Sequence, residues 1–283
     1  MRTYEELKHC LVQIKDSGYN VPDGLDVDGL IDDMLRFIGH TDPELRDSLI
    51  EKTIMQWAEA KRVFSPDQMR HILYTCLGDT HLFFGIGEKD TDSVFTRAYS
   101  SLAISAALCM HDETPFLTAD DVQTIKEAAL RYANEEKDYR NYVDGKGWAD
   151  AVAHIADVLV NVSCCPVDDD YSIGREGMSE ILQAVKALVC NNEHIYIAME
   201  DERLVTTVCI AVDLHKFTAK ELIDWIDSFD MTDNEYWKGT MPDDYYLYVN
   251  KKNFMKSLYF KLQGNLSIEG FDEICKYILS FLT

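Results

Sequence analysis

A local pattern recurs along this chain at intervals close to fifty residues. In each copy an acidic residue is followed within a few positions by a basic residue and then by an apolar helical run. The copies begin at Asp42, Asp92, Asp144 and Glu200, which are 50, 52 and 56 residues apart. Similarity at a fixed period is typical of helical-repeat proteins such as the HEAT and armadillo types. We therefore expect an all-α, HEAT-like α-solenoid (an α-α superhelix) of stacked helical hairpins.

Two series of helix starts alternate along the chain, as stacked hairpins require. Capping boxes, in which a hydroxyl and a nearby acidic or amide side chain satisfy free backbone amides, open helices at Ser65, Thr118 and Thr218. Apolar residues with helical spacing follow each start. Such hairpins cannot bury their apolar faces alone, so neighbours are expected to stack. The predicted pairs are 65–77 with 93–110, 118–136 with 147–162, and 173–190 with 201–214.

The chain is expected to form one domain over residues 1–283, because no linker rich in Gly, Ser or Pro divides it. Acidic and aromatic residues mix in 230–250, which predicts a long connection, and two further helices are predicted near 251–262 and 267–282. Terminal repeats of solenoids are usually atypical. The region at about 230–283 is therefore predicted to cap the stack. The short segment 195–199 is either a strand or a loop that leads into a helix.

The charge balance restricts the possible partners. The chain has 50 acidic and 27 basic side chains and a formal charge of −23. Such a surface repels phosphate backbones, which argues against nucleic-acid binding. The charge either only keeps the protein in solution or attracts a partner of opposite sign. That partner would be a small cationic molecule or a basic protein or peptide.

Cysteine usage and the first residues bear on location. Eight cysteines are present without a C-x-x-C pair, and buried free thiols in a reducing cytoplasm are the simplest interpretation. The start, Met1 to Leu7, lacks the apolar segment of a signal peptide. No stretch approaches the roughly 18 apolar residues of a membrane span. The sequence predicts a cytoplasmic protein without a membrane segment or a cofactor.

The segment after Trp148 contains the most specific pattern of polar residues. Asp150, His154 and Asp157 are spaced so that they share one helix face. One imidazole and two carboxylates can hold a divalent metal ion. The same row also fits a solvated face with capping and ion-pair roles. No second His-containing helix is clearly aligned with it, so no metal site is predicted.

Two loops add further candidates. Residues 81–88 join two helices through two glycines without forming a phosphate-binding loop, and residues 140–148 combine glycines with aromatic and charged side chains, a mixture common in binding loops. Stacked repeats bring equivalent positions side by side. Trp148 has a second interpretation as a core residue, and the acid–base pairs that contain Arg46 and Arg97 have one as scaffold. The predicted ligand-binding residues are Glu88, Arg97, Lys146, Trp148, His154, Asp157, Glu202 and Arg203.

Several blocks of the chain resemble a known family. The blocks are 46–50, 81–88, 91–97, 146–148 with His154 and Asp157, 200–205, and 252–254 with 257–260. They resemble a bacterial family of unknown function, DUF2785. The resemblance implies helical repeats of the HEAT type and implies no activity. In that family a His often stands at the position of Asp150, so this chain departs from the pattern in a way that weakens a metal site built on two histidines.

The expected function follows from the charge, the repeats and the absence of known catalytic motifs. We expect a non-enzymatic binding protein with a concave acidic groove for a small or peptide-like cationic ligand. Two alternatives stay open. One is a metal-assisted hydrolase that uses Asp150, His154 and Asp157. The other is a protein–protein adaptor, a common use of solenoid surfaces.

Overall fold

In the residues that the structure describes, the protein is all-α apart from two hairpins with strands of two residues each. The computed structural model describes residues 1–167, 170–171, 173–231, 241–263 and 270–282. The strands are β1 (Tyr142–Val143) with β2 (Gly147–Trp148) and β3 (Pro166–Val167) with β4 (Asp170–Tyr171), both antiparallel. The helices are α1 (Tyr4–Asp16), α2 (Val27–Arg36), α3 (Lys52–Met55), α4 (Pro66–Cys76), α5 (Ser93–Glu113), α6 (Ala119–Glu135), α7 (Ala151–Ser163), α8 (Arg175–Val189), α9 (Glu200–Asp213), α10 (Ala219–Asp227), α11 (Asp243–Gln263) and α12 (Phe271–Leu282).

The helices pack in two rows. In the first row α5 packs against α7, α7 against α9 and α9 against α11, and the helical segment around α3 packs against α5. In the second row α2 packs against α4, α6 against α8 and α10 against α12. The rows meet through the pairs α4 with α5, α6 with α7 and α8 with α9. The apolar core lies between the rows.

The helix starts read from the sequence are confirmed at the capping boxes. At α4 the amide of Gln68 donates to Oγ of Ser65 at 3.2 Å, and the amide of Ser65 donates to Oε1 of Gln68 at 2.9 Å. The boxes at Thr118 and Thr218 close in the same way. Each box satisfies backbone donors that a helix leaves free at its first turn. These local rules set the starts of α4, α6 and α10.

The first member of the first row is a helical segment of mixed type. A π-helical stretch, Glu44–Glu51, runs into α3, and a second π-helical stretch, Gln56–Ala60, follows. The predicted apolar stripe of this segment is buried, including Trp57, which is 0% exposed. The indole of Trp57 donates to the main-chain oxygen of Tyr19 at 2.9 Å. Its ring therefore anchors the segment in the core without leaving its N–H unpaired.

The start of α7 differs from the prediction. The apolar periodicity placed the helix start at Gly147, whereas residues 147–148 form β2 and the helix begins at Ala151. Asp150 precedes the helix with a left-handed φ of 49°. Trp148 is 44% exposed and does not join the buried stripe of α7. The interpretation of Trp148 as a core residue is therefore wrong.

Part of the C-terminal region also differs from the prediction. The long connection predicted for residues 230–250 is wrong for its last part, because α11 already begins at Asp243. Residues 232–240 lie outside the described residues, as do 264–269 at the predicted start of the last helix. Segment 195–199, left open between strand and loop, is a loop before α9. Across the described ranges, no helix has the length and apolar character needed to cross a membrane.

Candidate functional site

Arg46 fixes the hairpin of β1 and β2 through hydrogen bonds to its main chain. The guanidinium of Arg46 is fully buried and donates to the main-chain oxygens of His40 at 2.6 Å, Lys146 at 2.6 Å and Trp148 at 3.1 Å. It also lies over the ring of Phe95, 4.1 Å from the centroid, a favourable cation–π contact. No carboxylate in the described part of the chain forms an ion pair with it. Main-chain oxygens thus hold this cation, and the cation fixes the hairpin.

Gly147 permits the close approach of this hairpin. Its φ is +82°, and an added Cβ would lie 2.7 Å from Cβ of Pro43, so glycine is required on two grounds. The hairpin presents an aromatic pair to solvent. Trp148 packs edge-on against Tyr142 with ring centroids 5.1 Å apart, and both rings are exposed. The result is an open aromatic surface beside the start of α7.

Asp150 occupies the start of α7 in an unusual state. Its left-handed backbone conformation is uncommon outside glycine, although Asp and Asn tolerate it best. One carboxylate oxygen, Oδ1, is shielded from solvent and has no hydrogen-bond partner among the described residues. Burial raises the pKa of Asp150 to about 7; the charge of Glu200 adds to the rise, and Arg203 opposes it. A strained, partly desolvated acid of this kind is typical of functional sites.

A buried polar network supports Asp150 from the start of α9. Glu200 is 1% exposed and follows Met199, which is also left-handed, with φ 67°. The side-chain amide of Asn141 donates to Glu200 Oε1, and the amide of Ala198 donates to Oε2 at 2.8 Å. The main-chain oxygen of Asn141 accepts from the amide of Asp150 at 3.3 Å. Two successive helix starts of the first row are therefore joined through Asn141.

Four carboxylates of the first row, which we call the acidic face, come from its first member and from α7: Asp47 and Glu51 lie on Glu44–Glu51, Asp150 precedes α7 and Asp157 lies on it. Burial raises the pKa of Glu51, with Asp47 adding to the rise and Lys52 opposing it. The charge of Asp47 also adds to the raised pKa of Asp150. Burial raises the pKa of Asp157 against the opposing charge of Arg203. Desolvation therefore raises the pKa of Glu51, Asp150 and Asp157, and the charge of Asp47 adds repulsion at Glu51 and Asp150.

The predicted residues of α7 and α9 fall into different environments. Arg203 donates to Asp157, which links α9 to α7 at the border of the acidic face. His154 is buried, and its Nδ1 lies 3.2 Å from the main-chain oxygen of Ala98. Burial lowers the pKa of His154 to about 3, and the charge of Arg203 adds to the fall. Glu202 is exposed. His154 is therefore a neutral packing residue here, out of reach of a ligand.

Two of the predicted ligand-binding residues, Arg97 and Glu88, already bind other groups of the protein. Arg97 is fully buried in an ion pair with Glu136, so it is part of the scaffold. Glu88 accepts from Ser93 at 2.7 Å and from Thr91, and these hydrogen bonds lower the pKa of Glu88. The structure thus separates Arg97 and Glu88 from the acidic face.

Lys146 has a counter-ion that the sequence did not indicate. Its Nζ donates to both oxygens of Asp92, at 2.6 and 2.8 Å. The observed contact ties the hairpin to the start of α5. Lys146 therefore stabilises the hairpin beside the acidic face.

The metal alternative has no geometric support. Within the described ranges, no three His, Cys, Asp or Glu side chains are placed to hold a metal ion. Asp150 and Asp157 lie on α7 or at its start, but His154 between them points to Ala98 in the packed interface. A ligand set that needs the imidazole nitrogen of His154 would first have to break this contact.

Comparison with known proteins gives one match. A family model described as "Protein of unknown function (DUF2785)" matches residues 82–260, which is more than half of the chain. The chain belongs to the DUF2785 family. No curated protein and no solved structure matches it.

The DUF2785 match covers only part of the acidic face. All eight residues predicted as ligand-binding lie within residues 82–260, as does Asp150. Asp47 and Glu51 lie before the match. Sequence reasoning missed both, although their spacing of four residues on an apolar-striped helix was a usable signal. It also missed Asn141, whose role depends on contacts with distant segments.

Proposed function

We propose that this DUF2785 protein is a HEAT-like helical-repeat protein that binds a cationic ligand on the acidic face. The two rows of helices support the repeat interpretation, because α5, α7 and α9 each pack on the next first-row helix and on a second-row neighbour. Residues 1–283 then form a single helical-repeat domain whose atypical end, at about 230–283, caps the stack. The acidic face lies on the first row, which would be the concave side.

The buried carboxyl group of Asp150 is the observation that supports this proposal most directly. Its Oδ1 is buried without a partner among the described residues, and the pKa of Asp150 is raised to about 7 by burial first and by Glu200 second. A buried acceptor without a donor costs about 1–3 kcal/mol. An ammonium or guanidinium group bound beside this carboxyl would offset the repulsion between Asp150, Glu200 and Asp47.

The surroundings suit an organic cation. Tyr142 and Trp148 present exposed rings beside Asp150, and aromatic faces attract ammonium groups by about 0.5–2 kcal/mol. The acidic face also includes Glu51 on the first member of the row and Asp157 on α7, so a ligand with more than one positive charge can contact more than one carboxylate. A polyamine, an aminoglycoside or a short basic peptide has the required chemistry.

Calorimetric titration tests this proposal. Spermidine, an aminoglycoside and a tetralysine peptide are titrated into the protein at pH 7 and low salt, with uncharged triglycine as the control ligand. We expect the cations to bind and triglycine not to bind. Binding should release protons, because a nearby cation lowers the pKa of Asp150 and ionises the protonated fraction. Repeating the titration in buffers of different ionisation enthalpy measures that release.

Matched variants separate the site from general charge. Asp150→Asn keeps the side-chain size and tolerates the left-handed backbone, so it should fold, lose proton release and weaken binding about tenfold, or about 1.4 kcal/mol. Asp144→Asn removes an exposed carboxylate from the hairpin turn and should change binding little. Equal effects of the two variants, or no binding by any of the cations, would overturn the proposal.

A further inference from the structure

A cavity of about 490 Å³ lies beside the C-terminal half of α5. Its walls come from three consecutive members of the first row, which are the π-helical stretch Gln56–Ala60, α5 and α7. Ligand pockets are usually about 300–1,000 Å³, so the cavity has room for a small molecule. We call it the thiol cavity, because three of its lining residues are cysteines. The lining residues that matter here are Glu59, Leu108, Cys109, Asp112, Asn161 and Cys164.

Two carboxylates of the thiol cavity are not neutralised by a basic side chain. Glu59 and Asp112 line the cavity, are exposed and form no ion pair with any described residue. Arg62 also lines the cavity, but its guanidinium pairs with Glu113 at 2.6 Å. The cavity therefore has a net negative charge, which complements a positively charged ligand.

The pKa values of the thiols show where the charge of Asp112 acts. Burial is the largest cause of the raised pKa of Cys109, Cys164 and Cys165, and the charge of Asp112 adds to the rise at all three. A charge that acts on three thiols around one space lies close to that space. The thiols are protonated and neutral near pH 7. With Leu108, they give the cavity an uncharged, mainly apolar lining beside its carboxylates.

The thiol cavity lies on the same side of α7 as the acidic face. Asp157, Asn161 and Cys164 are spaced by four and three residues, so they follow one face of the helix to its end. The charge of Asp157 also adds to the raised pKa of Cys109, after burial and the nearer charges of the cavity. A ligand that is bound at the acidic face can therefore extend along α7 and α5 into the cavity.

The distance between the two places sets the length of such a ligand. The hydroxyl of Tyr99 on α5 lies 3.4 Å from the main-chain oxygen of Trp148, two residues before Asp150. Cys109 is ten residues further along α5, or about 15 Å at 1.5 Å per residue. An extended alkyl chain advances about 1.2 Å per bond, because bonds of about 1.5 Å meet at about 111°, so about twelve bonds cover this distance. Spermine has a chain of about this length, whereas putrescine covers less than half of it.

We propose that the ligand of the acidic face is a linear polyamine that extends along α5 and places its far ammonium group in the thiol cavity. One end lies beside Asp150 and Asp157, and the other meets Glu59 and Asp112. Its methylene groups suit the lining formed by Leu108 and the thiols. The polar rings of an aminoglycoside or the main chain of a peptide would lack hydrogen-bond partners against that lining. This inference names the ligand class of the proposed function and rests on that function.

Calorimetric titration with two diamines of equal charge tests the length of the ligand. Putrescine and 1,12-diaminododecane each carry two ammonium groups, and only the longer one reaches from the acidic face to the thiol cavity. At pH 7 and low salt, we expect the longer diamine to bind the wild-type protein at least tenfold more tightly than putrescine. Equal binding of the two diamines would overturn the inference and leave the cation site itself in place.

Paired charge variants test the location. Glu59→Gln combined with Asp112→Asn removes the two carboxylates of the thiol cavity. It should weaken binding of the longer diamine at least tenfold and leave putrescine binding unchanged. Glu127→Gln combined with Asp120→Asn removes the same charge from exposed positions on α6 and should change neither. Equal effects of the two double variants on the longer diamine would show that only the net charge matters, which contradicts the inference.

A variant that fills the cavity tests the same point without a change of charge. Ala60 is exposed where it lines the thiol cavity, so Ala60→Trp should weaken binding of the longer diamine at least tenfold. Gln123→Trp, at an exposed position on α6, should leave it unchanged. Asp150→Asn should weaken both diamines, because both use the acidic face. If Asp150→Asn weakens both diamines and the cavity variants weaken neither, the cation site stands and the inference fails. If neither diamine binds the wild-type protein, both fail.

Discussion

The guanidinium of Arg97 meets the carboxylate of Glu136 at two points, with Nε to Oε2 at 2.6 Å and Nη2 to Oε1 at 2.8 Å. Both side chains are no more than 1% exposed. Arg97 also donates to the main-chain oxygens of Phe84 and Gly85 at 3.0 and 3.1 Å. One buried cation thus joins the start of α5, the loop before it and the end of α6.

We expect Glu136→Gln to lower the free energy of unfolding by about 3–5 kcal/mol, because it leaves the charge of Arg97 buried and unpaired. Urea denaturation measures the loss. The matched control is Glu135→Gln, which removes an exposed pair with Arg131 and should cost less than about 1 kcal/mol.

A double-mutant cycle separates the pair from its surroundings. Arg97→Met removes the cation, and Gln at 136 keeps the oxygen that accepts from the amides of Lys137 and Asp138 at 2.9 and 2.8 Å. The double variant should therefore lose clearly less than the sum of the two single losses. Additive losses would show that the ion pair contributes nothing specific.

The importance of Arg97 could be predicted from the sequence, but its partner could not. The recurring acid–base pattern marked Arg97 as either scaffold or site, and the structure supports the scaffold interpretation. Glu136 follows α6, 39 residues further along, and only the path of the chain after that helix brings the two together. Local sequence rules contain no information about such a path.

In the rest of the molecule too, the sequence predicted local features but not the contacts between distant segments. Helix spans followed from apolar periodicity and capping boxes, which act within one or two turns. The hairpin before α7 could not be predicted from such local rules. The positions of Gly147 and Trp148 depend on hydrogen bonds from Arg46, a hundred residues away along the chain. The acidic nature of the site was readable from the net charge. The left-handed conformation of Asp150 was not, because it depends on the hairpin that precedes it.

Among the glycines that the structure describes, Gly39, in the turn after α2, makes the closest contact with a helix of the first row. A Cβ added there would lie 2.6 Å from Cα of Thr96 on α5 and would clash with its hydroxyl. Because Cα belongs to the backbone, the helix itself would have to shift. We expect Gly39→Ala to cost about 1–3 kcal/mol in thermal or urea unfolding. Gly174→Ser, at a position with nothing within 4 Å of the added Cβ, should cost nothing measurable.

Arg46 should control the order of the hairpin. We expect Arg46→Lys to keep the positive charge but lose the fork geometry that reaches Lys146 and Trp148 together. Hydrogen bonds from charged groups contribute about 1.5–3 kcal/mol, so the local opening free energy should fall by a similar amount. Hydrogen exchange of the amides in 142–149 should then speed up, while α11 stays protected. Unchanged exchange in the hairpin would show that Lys146 and Asp92 hold it without Arg46.

Because of Asp150, the free energy of unfolding should depend on pH. The sign of this dependence is the one expected for a carboxyl group whose pKa is raised in the folded protein. The pKa of its carboxyl is raised to about 7 in the folded protein, by burial first and by Glu200 second, against about 3.9 in an unfolded chain. Between these values the folded state binds the extra proton, so the contribution of Asp150 to stability falls as pH rises from about 4 to about 7.

An asparagine at position 150 has no proton to lose. We therefore expect Asp150→Asn to match the wild-type stability near pH 4, to become progressively more stable than wild type up to about pH 7, and to keep a constant advantage above that. Urea denaturation at pH 4, 5, 6, 7 and 8 measures the difference. A gap that stays constant across this range would show that Asp150 ionises normally in the folded protein, which would remove the main support for the cation site.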